Sequence, residues 1–307
     1  MELIVATVAQ IREEYPMPAS SVPASTSNPA ISRHRVLEDQ LASLKRENDE
    51  LNHAMFEAAQ VQRRLCGPRY FRTDSYEFAG EIFPVRHLSG DFISVMQIED
   101  DFLFALGDIA GKGLLAGMWF THMVGMIRRE ISEHGDPANA LSAVDRNLLL
   151  SGVEFPLTTL FVARLNTTSG DLIYCNAGHP PALLVRDNHE VEELSEGGPV
   201  LGAISGAPFA NGHARLDPGA SFIAYSDGVL ECRDEAGVEF GGERLLSAVQ
   251  TLSASGPSAL LFSVLASVEN FVGSRHREDD IALMVLHRLG SSELTGSDRV
   301  GSANYVS

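Results

Sequence analysis

The sequence predicts an α+β fold, antiparallel sheets packed with helices, behind a long N-terminal helix. Two observations carry the sheets: short β-type segments occur in runs broken by tight turns, and strands are followed by two helices and then by strands again, without βαβ alternation. A heptad stripe ahead of them carries the helix.

The stretch 16–34, PMPASSVPASTSNPAISRH, has almost no large apolar side chains. It cannot bury enough surface to offset the entropy of ordering, so residues 1–34 are expected to be a flexible leader. Residues 35–67 then read as a coiled-coil or linker helix. Leu37, Leu44, Leu51, Ala58 and Leu65 fall at d, and Leu41, Asn48, Met55 and Gln62 at a. A single Asn at an a position fixes the register of a parallel pair, so a homodimer through residues 35–65 is expected. The alternative is one amphipathic helix lying on its own domain.

Gly67-Pro68 should end that helix. Strands are expected at 76–88, 92–98 and 102–106, the last two joined by a Glu99-Asp100-Asp101 turn. A helix over 114–133 carries Leu115, Met118, Trp119, His122 and Met126 on one face, which places Trp119 and His122 in the core; a second helix over 137–150 is headed by Asp136-Pro137. Further strands are read at 158–165, 172–176, 182–185 and 221–225, the last running into an Asp227-Gly228 turn. Helices at 242–252 and 257–272 and a strand at 281–287 complete a domain over 70–289. Residues 290–307, rich in Ser and Gly, read as a disordered tail.

The 307 residues are 44% hydrophobic, ample for a core, and carry a formal charge of −18. Residues 1–69 hold 9 acids and 8 bases, leaving 32 acids against 15 bases in the remainder, so the excess lies in the sheet-and-helix part. Such a balance speaks against nucleic acid and anionic membranes as partners, since both need surplus cations. Cys66, Cys175 and Cys232 are odd in number and lack CxxC spacing, which fits a reducing cytoplasm without disulfides or zinc. Neither a basic signal-peptide start nor an apolar run of spanning length is read.

Acids stand beside glycine or small residues at predicted strand ends: Asp91 in SGD, Asp108 in GDIAGKG, Asp227 in SDG, and Asp279-Asp280 before Ile281. Singly, an Asp before Gly is a turn former. The 107–113 stretch falls one residue short of G-x-x-x-x-G-K and has Gly113 where Ser or Thr would bind metal, which excludes a nucleotide loop. As a set, carboxylates gathered at one sheet edge would repel unless a divalent cation joined them. All-oxygen ligands favour Mg²⁺ or Mn²⁺, ions suited to holding phosphate oxygens and water together.

The series SGDF (89–92), GDIAGKG (107–113), TTLFVARLNTTSGDLIYCNAGHPP (158–181), GGPVLG (197–202), YSDGVLE (225–231) and REDDIALMVL (277–286) resembles the SpoIIE/RsbU-type branch of the PPM metal-dependent protein serine/threonine phosphatases. AAQVQRRLCGP (58–68) is similar to the linker preceding that domain, with Leu65-Cys66-Gly67-Pro68 in place of Leu-Leu-Pro. The resemblance implies a four-layer α/β/β/α sandwich with two Mn²⁺ or Mg²⁺ ions. By position, Asp108 would bridge the ions and the Ile109 carbonyl would bind one. Asp227 and Asp279 would complete the other, Asp91 would be a direct or water-mediated ligand, and Asp280 a ligand or the group orienting Asp279. The implied reaction is attack of activated water on phosphoserine or phosphothreonine without a phosphoenzyme.

Ser89 for the usual first Gly and Ile93-Ser94 for Tyr-Asp are departures, but the acidic positions are intact. Arg86, His87 and Lys112 are candidates for the substrate phosphate. His179 is read as bracing a turn with Asn176, ahead of a general-acid role. Members of the branch commonly act on phosphorylated STAS-type anti-sigma-factor antagonists under an N-terminal sensory domain. Residues 1–34 are too short for one, so the heptad helix is expected to be the control element, answering to dimerisation or an upstream regulatory protein. The rival is a catalytically silent module of the same fold that binds a phosphoprotein or anti-sigma-type partner.

Overall fold

A computed structural model describes residues 29–152, 154–252 and 256–290; the expectations for residues 1–28 and 291–307 lie outside them. Helix α1 is Pro29–Leu65. It begins inside the expected leader, because Pro29 suits a first turn, where its missing N–H has no partner to lose. The chain divides within α1 into two compact units, Met1–Asn52 and His53–Ser307. In the first, the heptad leucines are open to solvent: Leu37 is 56% exposed, Leu41 69%, Leu44 63% and Leu51 63%.

The second unit holds two six-stranded sheets. One takes the order β1 (Tyr70–Arg72), β2 (Tyr76–Phe83), β12 (Ile281–Arg288), β11 (Ser221–Tyr225), β7 (Ala182–Val185), β8 (Val191–Leu194). The other runs β10 (Gly212–Arg215), β6 (Asp171–Ala177), β5 (Thr158–Asn166), β4 (Asp101–Ile109), β3 (Phe92–Ile98), with β9 (Gly197–Gly198) parallel to β6. Every other pairing is antiparallel.

Between the sheets lies an aromatic core in which Phe78 and Phe222 from one sheet meet Phe104 and Phe161 from the other. Helices α2 (Leu114–His134) and α3 (Pro137–Leu150) cover the outer face of the β4 sheet; α5 (Gly241–Leu252) and α6 (Pro257–Val272) cover that of the β12 sheet. The result is the expected four layers. Asp136 caps α3, accepting from the Asn139 N–H at 2.9 Å, with Pro137 at the first position.

Three readings change. The buried stripe of α2 is Ala116, Phe120, Met123, Val124, Met126, Ile127 and Ile131, so of the expected face Met126 is buried, whereas Leu115, Met118 and His122 face solvent and Trp119 is half-buried. α2 carries two apolar stripes, and sequence alone does not say which meets the sheet. The 76–88 strand stops at Phe83, where Pro84 has no N–H to continue the ladder. The turn expected at Asp227-Gly228 is a short helix, α4 (Asp227–Leu230).

Candidate metal centre

Register gathers the acids. Phe92 pairs with Gly107, so Asp91 and Asp108, one position further on each strand, stand opposite each other at the same end of the sheet. In the facing sheet Tyr225 pairs with Leu283, which sets Asp227 beside the Asp279-Asp280 start of β12. Gly228 permits this approach, because a Cβ there would collide with the Asp280 carbonyl.

The cluster is electrostatically costly. Burial, and then the charge of Asp108, push the Asp91 carboxyl well above the usual range; Asp91 is 2% exposed. Asp108 is pushed up to about 6 by burial and by Asp227 and Asp279, and stands close enough to Asp91 for the two to share a proton. Burial and Asp279 raise Asp227 as well.

The oxygens converge on Gly90. A Cβ there would lie 2.7 Å from the Ile109 carbonyl oxygen, 3.2 Å from Asp108 Oδ1 and 3.2 Å from the Gly111 carbonyl oxygen. One side-chain and two main-chain oxygens thus lie close together around Gly90, where no side chain would fit, next to carboxylates that repel one another. That donor set fits a hard divalent cation.

Two of the candidate residues have other duties. Asp280, expected as a ligand or as the group orienting Asp279, has both oxygens engaged: Oδ1 accepts from the Val85 N–H at 2.7 Å, and Oδ2 from Ser89 Oγ at 2.9 Å and the Gly90 N–H at 3.0 Å. It holds the 84–91 loop, which crosses from one sheet to the other and carries Arg86 and His87, both exposed. Lys112, expected on substrate, pairs with Asp279 Oδ1 at 2.9 Å and donates to the Glu278 carbonyl. The Arg86 guanidinium lies near Gly113, at the start of α2. His179 braces its turn as expected, exchanging hydrogen bonds of 2.7 and 2.8 Å with the Asn176 amide. Its buried ring faces Thr159 Oγ1 at 2.8 Å, and burial lowers its pKa to about 3, so it is not the imidazolium that a general acid would need.

Sequence reasoning missed the roles of four residues. Ser226, fully buried, donates to Asp91 Oδ2 at 2.6 Å and accepts from the Ala282 N–H at 2.9 Å. Ser89 Oγ donates to Asp280 and accepts from the Asp91 N–H at 3.1 Å. Gln62 near the end of α1 binds the Ser89 backbone twice, while Arg128 of α2 donates to the Leu65 carbonyl at 2.7 Å. The signal for Gln62 was present, as an amide at an apolar heptad position.

The family profile described as Stage II sporulation protein E (SpoIIE) matches residues 98–289, from the end of β3 through β12. The chain belongs to the SpoIIE family. Asp108, Asp227, Asp279 and Asp280 lie within the match and Asp91 just before it. Among relatives of this SpoIIE-family chain, Protein IcfG of Synechocystis sp. (strain ATCC 27184 / PCC 6803 / Kazusa) is 26% identical over 234 residues, 67% of this chain and 37% of that protein. Phosphoserine phosphatase RsbU of Bacillus subtilis (strain 168) is 25% identical over 235 residues, 75% of this chain and 69% of that one. The chain thus spans little more than a third of the length of IcfG. The SiaA-PP2C domain of Pseudomonas aeruginosa shares the fold at a TM-score of 0.68 and 20% identity, over 78% of this chain and 98% of that one. The PP2C phosphatase domain of SpoIIE from Bacillus subtilis, solved with a fragment of its regulatory domain, does so at 0.60 and 18%, over 71% and 63%. Among the described residues, no helix is long and apolar enough to cross a membrane.

Proposed function

We propose that this SpoIIE-family chain is a metal-dependent protein serine/threonine phosphatase acting on a phosphorylated STAS-type anti-sigma-factor antagonist in partner switching. The observation that carries it is the convergence of mutually repelling carboxylates and two main-chain carbonyls at one edge of paired sheets. Asp91, Asp108, the Ile109 carbonyl, Asp227 and Asp279 would hold two Mn²⁺ or Mg²⁺ ions. A bound pair supplies charge stabilisation for phosphoryl oxygens and a water ionised near neutral pH.

The protein's own residues position the rest. Ser226 fixes Asp91, and Asp280 fixes the loop from which Arg86 and His87 reach the substrate phosphate. A phosphocysteine intermediate finds no support, since burial raises all three thiols, Cys66 among them, with Cys175 pushed up to about 12 and Cys232 up to about 11. The exposed leucines of α1 are the dimerising seam, and α1 is the control element through which dimerisation or an upstream regulatory protein acts. The Gln62–Ser89 and Arg128–Leu65 bonds support that reading, because they tie the end of α1 to the loop that carries Asp91 and to α2.

The test incubates the chain with a serine-phosphorylated STAS-domain protein, with Mn²⁺, Mg²⁺ or EDTA, and follows phosphoserine by mass spectrometry. Loss of phosphate with either ion, but not with EDTA, is expected. Binding without release would mark a silent module.

A further inference from the structure

A cleft of about 260 Å³ opens directly beside the carboxylate cluster, between the segment after α4 and the 273–279 segment before β12. One wall belongs to the cluster: Asp279 lines it with Lys112, and so does Glu231, whose carboxyl is raised by burial and by the charge of Asp227. The remaining wall carries Arg233, Arg275 and Arg277 with His276 and Glu278, and Arg277 is paired with Glu269 at 3.2 Å. In a chain of net charge −18, four of the 23 Lys and Arg residues line this one cleft.

The guanidinium groups are pre-positioned. Arg275 pairs with Glu278 at 2.7 Å and donates to the Asp234 carbonyl at 3.2 Å, joining the 273–279 segment to the 233–239 hairpin. Arg233 pairs with Glu239 at 2.7 Å. Both remain open to solvent, with side chains 37% and 48% exposed, and Arg donors serve more than one acceptor.

We infer that this cleft is a specificity subsite for acidic side chains flanking the phosphorylated residue of a protein substrate. The inference rests on the phosphatase reading and adds what the substrate must look like. With its phosphate at the carboxylate edge, a bound segment runs past Lys112 and lays Asp or Glu side chains against Arg233 and Arg275.

Two synthetic phosphoserine peptides, identical except for Asp or Asn at the flanking positions, distinguish the possibilities when hydrolysed with Mn²⁺. The wild type should show about a tenfold higher kcat/KM for the acidic peptide, carried by KM and shrinking with added salt. An Arg233→Gln/Arg275→Gln variant should bring the ratio to within twofold. Arg233→Glu/Arg275→Glu should instead favour a Lys-flanked peptide, a gain that a misfolded variant cannot give. A wild-type ratio near one, or a ratio unchanged in both variants, overturns the subsite. If the wild type also hydrolyses no p-nitrophenyl phosphate, the phosphatase reading fails and the subsite with it.

Discussion

Gln62 and Ser89 clasp each other across 27 residues of sequence: Gln62 Nε2 donates to the Ser89 carbonyl at 2.8 Å, and the Ser89 N–H donates to Gln62 Oε1 at 3.2 Å. Both groups are buried, and Ser89 in turn bonds Asp280 and the Asp91 backbone. A helix end and the loop that carries Asp91 are therefore one hydrogen-bonded unit.

Gln62→Leu keeps the volume but strands a buried N–H and a buried carbonyl, each costing roughly 1–3 kcal/mol. Expected are a clear fall in melting temperature and at least a tenfold loss of Mn²⁺-dependent turnover; Gln62→Glu, which keeps the acceptor, should lose less. Thermal unfolding and kcat on a common phosphoprotein measure both.

The cluster makes a pH prediction for the protein in EDTA. Asp91, Asp108 and Asp227 all have raised carboxyls, Asp108 at about 6, so the folded state binds more protons than the unfolded from about pH 4 upward until the folded pKa values are passed. Their contribution to stability is therefore greatest at low pH and is lost as pH rises through the folded pKa values. Asp108→Asn removes this cost and should stabilise the EDTA-treated protein at pH 7 by roughly 2–3 kcal/mol, with the gain vanishing near pH 4. Denaturant titrations at both pH values check it; an equal effect at the two would be wrong for this origin.

Gly228→Ala drives a Cβ into the Asp280 carbonyl and must part the ends of β11 and β12. Overpacking of this kind costs about 1–3 kcal/mol, and the shift separates Asp227 from Asp279. Lowered stability together with weakened Mn²⁺ binding is expected by calorimetry.

The exposed heptad leucines predict a concentration-dependent dimer. Leu44→Asp, placing a charge at a d position, should yield a monomer in sedimentation with the melting of residues 70–289 little changed.

The strands at 182–185 and 221–225 were legible residue for residue, because apolar side chains fill both faces of strands buried between layers. β1, β8, β9 and β10 were not, because they carry no continuous apolar run and are defined by the partners they pair with. At the site, the acids were legible as Asp beside Gly at strand ends, but Asp280 was not separable from Asp279, since its partners Val85, Ser89 and Gly90 lie 190 or more residues away. Gln62 reads in sequence as a flaw in the heptad; only its contact with Ser89 gives the amide a purpose.

Isothermal titration of the EDTA-treated and dialysed protein with Mn²⁺ at pH 7.5 tests the metal centre most directly. Two ions per chain are predicted for the wild type, with both sites lost or at least tenfold weaker in Asp108→Asn; a wild type that takes up no Mn²⁺, or a variant that binds two ions equally well, would contradict it.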